Sequence, residues 1–108
     1  MRALFRLLCF SLALAASATA VAEPTPARQH ELIRLVRQDC GSCHGMTLKG
    51  GLGSPLLPDS LRDKPASSLV ATVVFGRPGT AMPPWKTILA EGEAEWIVAQ
   101  LLTGFPSE

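Results

Sequence analysis

The sequence predicts a single all-α domain. Three stretches repeat apolar residues at i, i+3 and i+4, the segments between them are rich in glycine and proline, and no stretch alternates like a strand. The run Val73-Val74-Phe75 is too short for a strand and too well phased with the helix around it.

Residues 1–22 read as a secretory signal and stand outside the fold. Arg2 and Arg6 form a positive start. Leu7 to Ala18 is a short apolar run, and Ala18-Thr19-Ala20 and Ala20-Val21-Ala22 both offer small-residue cleavage sites. Cleavage after Ala22 leaves one domain, residues 23–108. An uncleaved anchor is the alternative, but the apolar run falls short of the roughly 20 residues that a span needs, so no stable membrane anchor is expected. Cys9 lies early in that run and leaves with the signal.

In the mature chain, residues 23–27 hold Pro24 and Pro26 and read as a mobile start. A first helix is expected over 28–39, where Leu32, Leu35 and Val36 share a face with Ile33 at its margin. Residues 45–58 contain Gly45, Gly50, Gly51, Gly53, Pro55 and Pro58 and read as a loop that turns repeatedly. A loop of that length packs on something in a compact domain, and Leu48, Leu52, Leu56 and Leu57 are its apolar contacts. A second helix is expected over 64–75, with Pro65 in its first turn, Leu69, Val70, Val73 and Val74 as its stripe and Gly76 as its stop. Residues 77–84 form another irregular loop, and 85–89 a short helical turn. The last helix is expected over 91–102. Glu91, Glu93 and Glu95 sit at its positive end, and Ala94, Ile97, Val98 and Leu101 face inward.

Cys40-Gly41-Ser42-Cys43-His44 follows the first helix directly. Two thiols separated by two residues, with histidine next, suit covalent attachment of haem. The thiols add across its two vinyl groups, and the adjacent imidazole reaches the iron. A zinc half-site would want a second Cys/His pair, and the remaining histidine, His30, reads as a solvated surface residue. A thioredoxin-like pair would need a βαβ setting, and a Cys40–Cys43 disulfide leaves His44 unexplained. The motif therefore points to one haem c, held by Cys40 and Cys43 and ligated by His44.

Size and charge narrow the function. The mature chain has eight basic and nine acidic residues and no basic patch, so nucleic-acid binding is not expected. A domain this small is marginal on its own apolar core, and a haem would supply a large apolar plate at the centre.

The iron's other face needs a ligand or becomes a site for small molecules. Met82 is the leading candidate, in a stiff loop bounded by Pro83 and Pro84. Its bland role is core filling. Met46 lies too near His44 to cross to the opposite face, and Lys49, Lys64 and Lys86 are better read as solvated charges. The free ring N–H of His44 needs an acceptor, and Pro55 offers a carbonyl in the adjoining loop; its bland role is that of a turn residue.

Cys40-Gly-Ser-Cys-His44, Gly53-Ser54-Pro55-Leu56, Met82-Pro83-Pro84-Trp85 and a final amphipathic helix together resemble the small class I cytochromes c, over nearly all of the mature chain. That resemblance implies the class I cytochrome c fold with haem in the core, and first and last helices that cross near the attachment segment. It implies His44 and Met82 as iron ligands, Pro55 as the acceptor for the histidine and Leu56 as a haem-packing residue. The run from Cys43 to Leu56 and that from Gly76 to Pro83 are further similar to the c55X-type cytochromes of denitrification clusters and to the cytochrome c domain of cytochrome cd1 nitrite reductase. This implies a periplasmic one-electron carrier whose redox partners are cytochrome cd1 nitrite reductase or proteins of haem d1 biosynthesis. Two positions depart from the pattern: Gln100 stands where many relatives carry an aromatic residue, and Ala90 where a Ser/Thr cap is usual.

The residues near the motif include no Ser/His/Asp set and no paired carboxylates, so an electron carrier, not an enzyme, is expected. The alternatives are a five-coordinate haem protein that binds small ligands, and an assembly partner for d1 haem insertion.

Overall fold

The computed structural model describes residues 21–108, so the leader read over 1–22 lies, but for Val21 and Ala22, outside the described residues. Thr25 starts the first helix. Its hydroxyl accepts the Arg28 amide at 3.3 Å and its carbonyl accepts that of Gln29 at 2.8 Å. Pro26 follows in the first turn, where a missing N–H costs nothing. Helix α1 thus runs Pro26–Leu35, and the end of the segment expected to be mobile is helical.

The chain stays helical beyond Leu35. A π-helical turn, Val36–Cys40, leads into the single turn α2, Gly41–His44, with the Gly41 amide reaching back to the Val36 carbonyl. The extra residue in that turn rotates the succeeding turn by about 100° relative to an unbroken α-helix. The cysteine turn is thereby re-aimed relative to the face on which Leu32 and Val36 are fully buried.

A short helix α3, Pro58–Leu61, has no signature in the apolar spacing; it places Leu61 in the core. Helix α4 runs Ala66–Phe75 behind Pro65 and stops at Gly76, whose φ of 66° suits glycine. Helix α5 runs Glu93–Thr103. It starts later than expected because Gly92 has φ 86°, a left-handed conformation through which a right-handed helix cannot pass. Among the described residues there is no strand, in agreement with the all-α expectation, and no helix is long and apolar enough to cross a membrane.

One core cluster joins these elements: Leu32 and Val36 from the first helix, Leu48 from the loop, Leu61, Leu89, and Ala94, Trp96, Ile97 and Leu101 from α5. Each large side chain buried there contributes about 1.5–3 kcal/mol. Trp96 joins this core, though the apolar spacing alone did not single it out. The stripe of α4 (Leu69, Val70, Val73 and Val74) packs against the same cluster while remaining half-buried.

Two arginines tie the first helical segment to the last. Arg28 donates to Glu93 Oε1 at 2.8 Å and to Oε2 at 3.0 Å. Arg37, in the π turn, donates to the carbonyls of Phe105 and Pro106 and lies 5.5 Å from the Phe105 ring centre. Gln100, at the position where many relatives carry an aromatic residue, is half-buried. The Ala90 position is served from the other side, because Glu93 Oε2 accepts the Ala90 amide at 3.0 Å. The carboxylate thus braces the turn that leads into α5, whose own N-cap position, Gly92, has no side-chain cap.

Candidate haem site

Cys40 closes the π turn, and Cys43 and His44 end α2, so one continuous helical segment delivers all three. Both cysteines are half-buried thiols that are not bonded to each other. Burial pushes the Cys40 thiol up to about 11, and the charge of Asp39 adds to the effect, so it stands neutral near pH 7.

A helix end leaves its last carbonyls in need of donors. The carbonyl of Cys43 receives the Gly53 amide at 2.7 Å, and that of His44 receives the Gly50 amide at 2.8 Å. The loop over 45–58 therefore folds back onto the motif. Gly45 makes the reversal, with φ 89° and the Gly50 carbonyl oxygen 2.6 Å from where its Cβ would stand. Leu48 takes a left-handed φ of 61°, costly for a branched side chain, and is 1% exposed in the core.

His44 Nδ1 lies 2.6 Å from the carbonyl oxygen of Ser54. A carbonyl can only accept, so His44 donates and the proton sits on Nδ1, which leaves the Nε2 lone pair for a metal. The acceptor is thus Ser54 and not Pro55, which corrects the sequence expectation by one residue. Pro55 acts one step back: a proline disfavours the helical region for the residue before it, and so limits where the Ser54 carbonyl can point. Gly53 completes the clamp. A Cβ there would stand 2.8 Å from His44 Nδ1 and Cε1, so the ring lies directly on its backbone.

The four loop leucines separate. Leu48 belongs to the protein core, Leu56 is half-buried against it with its amide on the Leu48 carbonyl at 2.9 Å, and Leu57 is at the surface. Leu52, at the turn between Gly51 and Gly53, is 86% exposed.

Met82 is half-buried in the second loop. Its carbonyl accepts the Arg77 amide at 3.1 Å. The residues after it are fixed to the end of α4, where the Trp85 amide donates to Val73 at 3.1 Å and that of Lys86 to Val74 at 3.2 Å. Those bonds satisfy carbonyls that the helix end would otherwise leave open. Gly76 permits the approach, since a Cβ there would come within 2.7 Å of the Met82 carbonyl oxygen. The rival Met46 is exposed, with its sulfur over Gly41 on the cysteine turn itself, while Lys49, Lys64 and Lys86 are exposed.

These donors suit haem: two thiols on one helical segment, an imidazole with its proton on Nδ1, and a thioether in a separately braced loop. Two shallow grooves beside α5, of about 330 and 370 Å³, include none of these residues.

A family model described as cytochrome c oxidase, cbb3-type, subunit III matches residues 27–101. Cytochrome c55X of Pseudomonas aeruginosa is 56% identical over 81 residues, 75% of this chain and 68% of its own length. Cytochrome c55X of Stutzerimonas stutzeri is 49% identical over 104 residues, 96% of this chain and 87% of its own. Among solved structures, a c-type cytochrome NirC superposes with a TM-score of 0.74 at 54% identity, over 75% of this chain and 95% of that one. A dihydro-heme d1 dehydrogenase NirN in complex with DHE superposes with a TM-score of 0.62 at 36% identity, over 69% of this chain and 16% of the larger one.

Proposed function

This chain belongs to the cytochrome c family, among the c55X-type cytochromes, and we propose that it carries single electrons in the periplasm through one covalently bound haem c. The observation that carries the reading is the His44–Ser54 hydrogen bond beside the two thiols, because it leaves Nε2 as the free nitrogen on the segment that also bears Cys40 and Cys43. When bound, the haem supplies a one-electron iron couple. Cys40 and Cys43 would tether it by two thioethers, and His44 and Met82 would ligate its iron. Ser54 sets the tautomer and orientation of the imidazole, and the hydrogen bond raises its basicity. The thioether favours the reduced state. Leu56 lies in the same loop, where its apolar side chain would border the cofactor, and Pro55 holds Ser54 in place.

The redox partners, on this reading, are proteins that handle haem d1: cytochrome cd1 nitrite reductase or the enzymes that mature its d1 haem. Similarity to NirC and to one domain of a dihydro-heme d1 dehydrogenase supports that assignment. The chain transforms no substrate. A signal removed after Ala22 places it in the periplasm, which mass spectrometry of the exported protein's N-terminus checks.

The test is spectroscopic and kinetic. The purified holoprotein should be low-spin and six-coordinate, with a thioether-to-iron absorption band that cyanide and carbon monoxide leave unchanged. Mixed with a dihydro-haem d1 dehydrogenase turning over its substrate, or with cytochrome cd1 nitrite reductase, it should change oxidation state within the turnover time of the partner. Rapid carbon monoxide binding by the untreated protein would instead establish an open, five-coordinate iron. Tight binding to either partner without any change of oxidation state would establish an assembly role.

A further inference from the structure

We propose that Thr80 is a positioning residue for the Met82 ligand, an inference that rests on Met82 serving the iron. The Thr80 hydroxyl donates to the Arg77 carbonyl at 2.7 Å and accepts the Met82 amide at 3.3 Å. Its own amide donates to the same Arg77 carbonyl at 3.1 Å, and the Arg77 amide donates to the Met82 carbonyl at 3.1 Å. Both backbone polar groups of Met82 are therefore referred to Arg77, the carbonyl directly and the amide through the threonine hydroxyl. With both fixed, the peptide planes on either side of Met82 are fixed, and with them the direction in which its Cα–Cβ bond points.

This bracing is local. Gly79, with φ 78°, closes the turn and has nothing within 4 Å of where its Cβ would stand, so no neighbouring element holds the turn from outside at that point. Pro83 and Pro84 stiffen the exit from Met82 but carry no N–H and cannot replace the bond at its amide. A thioether is a weak ligand, and an aim that is set in advance lowers the entropy lost when it binds. The hydroxyl supplies that aim on the entry side of Met82.

The test compares Thr80→Val, which keeps the shape and removes the hydroxyl, with Thr80→Ser, which keeps the hydroxyl. Thr103→Val is the control: it removes a similar hydroxyl bond, to the Ala99 carbonyl at 3.1 Å, from the end of α5. Imidazole is titrated into each oxidised holoprotein while the thioether-to-iron band and the reduction potential are recorded. Thr80→Val should bind imidazole about fivefold more tightly than the parent, the equilibrium equivalent of one net hydrogen bond, with a weaker band and a lower potential. Thr80→Ser should restore the parent values, and Thr103→Val should leave all three unchanged. A Thr80→Val protein with the parent's imidazole affinity, band and potential overturns the inference while leaving Met82 as ligand. A parent protein with no thioether band overturns the ligand reading itself.

Discussion

Arg28, near the start of the first helix, grips both carboxylate oxygens of Glu93 at the start of the last, 65 residues further along the chain. Glu93 is 8% exposed, and the same carboxylate accepts the Ala90 amide, so one acidic side chain both braces the turn before α5 and joins that helix to α1. Arg28 also holds Glu31 at 2.7 Å, but that second carboxylate is exposed and contributes little.

Replacing Arg28 with alanine should destabilise the protein by about 1.5–3 kcal/mol, since a largely buried carboxylate loses its charged partner. The pH dependence has a definite sign. The Arg28 hydrogen bonds, opposed by burial and aided by the Ala90 amide, hold the Glu93 carboxyl below the usual carboxylate range. Its stabilisation is therefore complete above the unfolded value of about 4.3 and is lost as pH falls through the lower folded value. Denaturant melts of parent and Arg28→Ala should differ by a constant amount above about pH 5 and converge in stronger acid. A difference that persists unchanged down to about pH 2 would assign the effect to packing of the arginine stem.

Alanine at both Cys40 and Cys43 should abolish covalent attachment, because the tether needs both thiols. Acid–acetone extraction should then remove all haem from the chain, while the parent retains it. Haem that stays on the double variant would refute the attachment site.

Met82→Ala should keep the haem tethered, open the second axial position, lower the potential and admit cyanide or carbon monoxide. Met46→Ala, by contrast, should leave the spectrum unchanged, since that sulfur lies over Gly41. The opposite pattern would exchange the roles of the two methionines.

Gly53→Ala should act on His44, the other proposed ligand. Its Cβ would stand 2.8 Å from His44 Nδ1, so the ring or the loop must move, at about 1–3 kcal/mol in stability. The His44–Ser54 bond should lengthen, the imidazole should donate less to the iron and the potential should rise. Potentiometry and a denaturant melt check both, and a variant identical to the parent in each would show that the ring is not clamped there.

The all-α class and the clustering of Cys40, Cys43 and His44 were legible in the residues alone. Apolar residues at helical spacing have one packing solution, and Ala94, Ile97, Val98 and Leu101 are indeed buried as their pattern requires. Cys40, Cys43 and His44 lie within five consecutive residues, so their meeting needed no tertiary information. Elsewhere the pattern misled in small steps with physical causes. The left-handed Gly92 delayed α5, the Thr25 cap advanced α1, and the π turn at Val36–Cys40 leaves no mark on apolar spacing. That Ser54 and not Pro55 receives the histidine was settled by the folded chain, because the choice between adjacent carbonyls depends on how Gly50 and Gly53 cap the end of α2. The same holds for Glu93, the one glutamate of its turn to be buried. Three glutamates at a helix start look equivalent in sequence, and the position of Arg28, brought there by the packing of distant helices, distinguishes them.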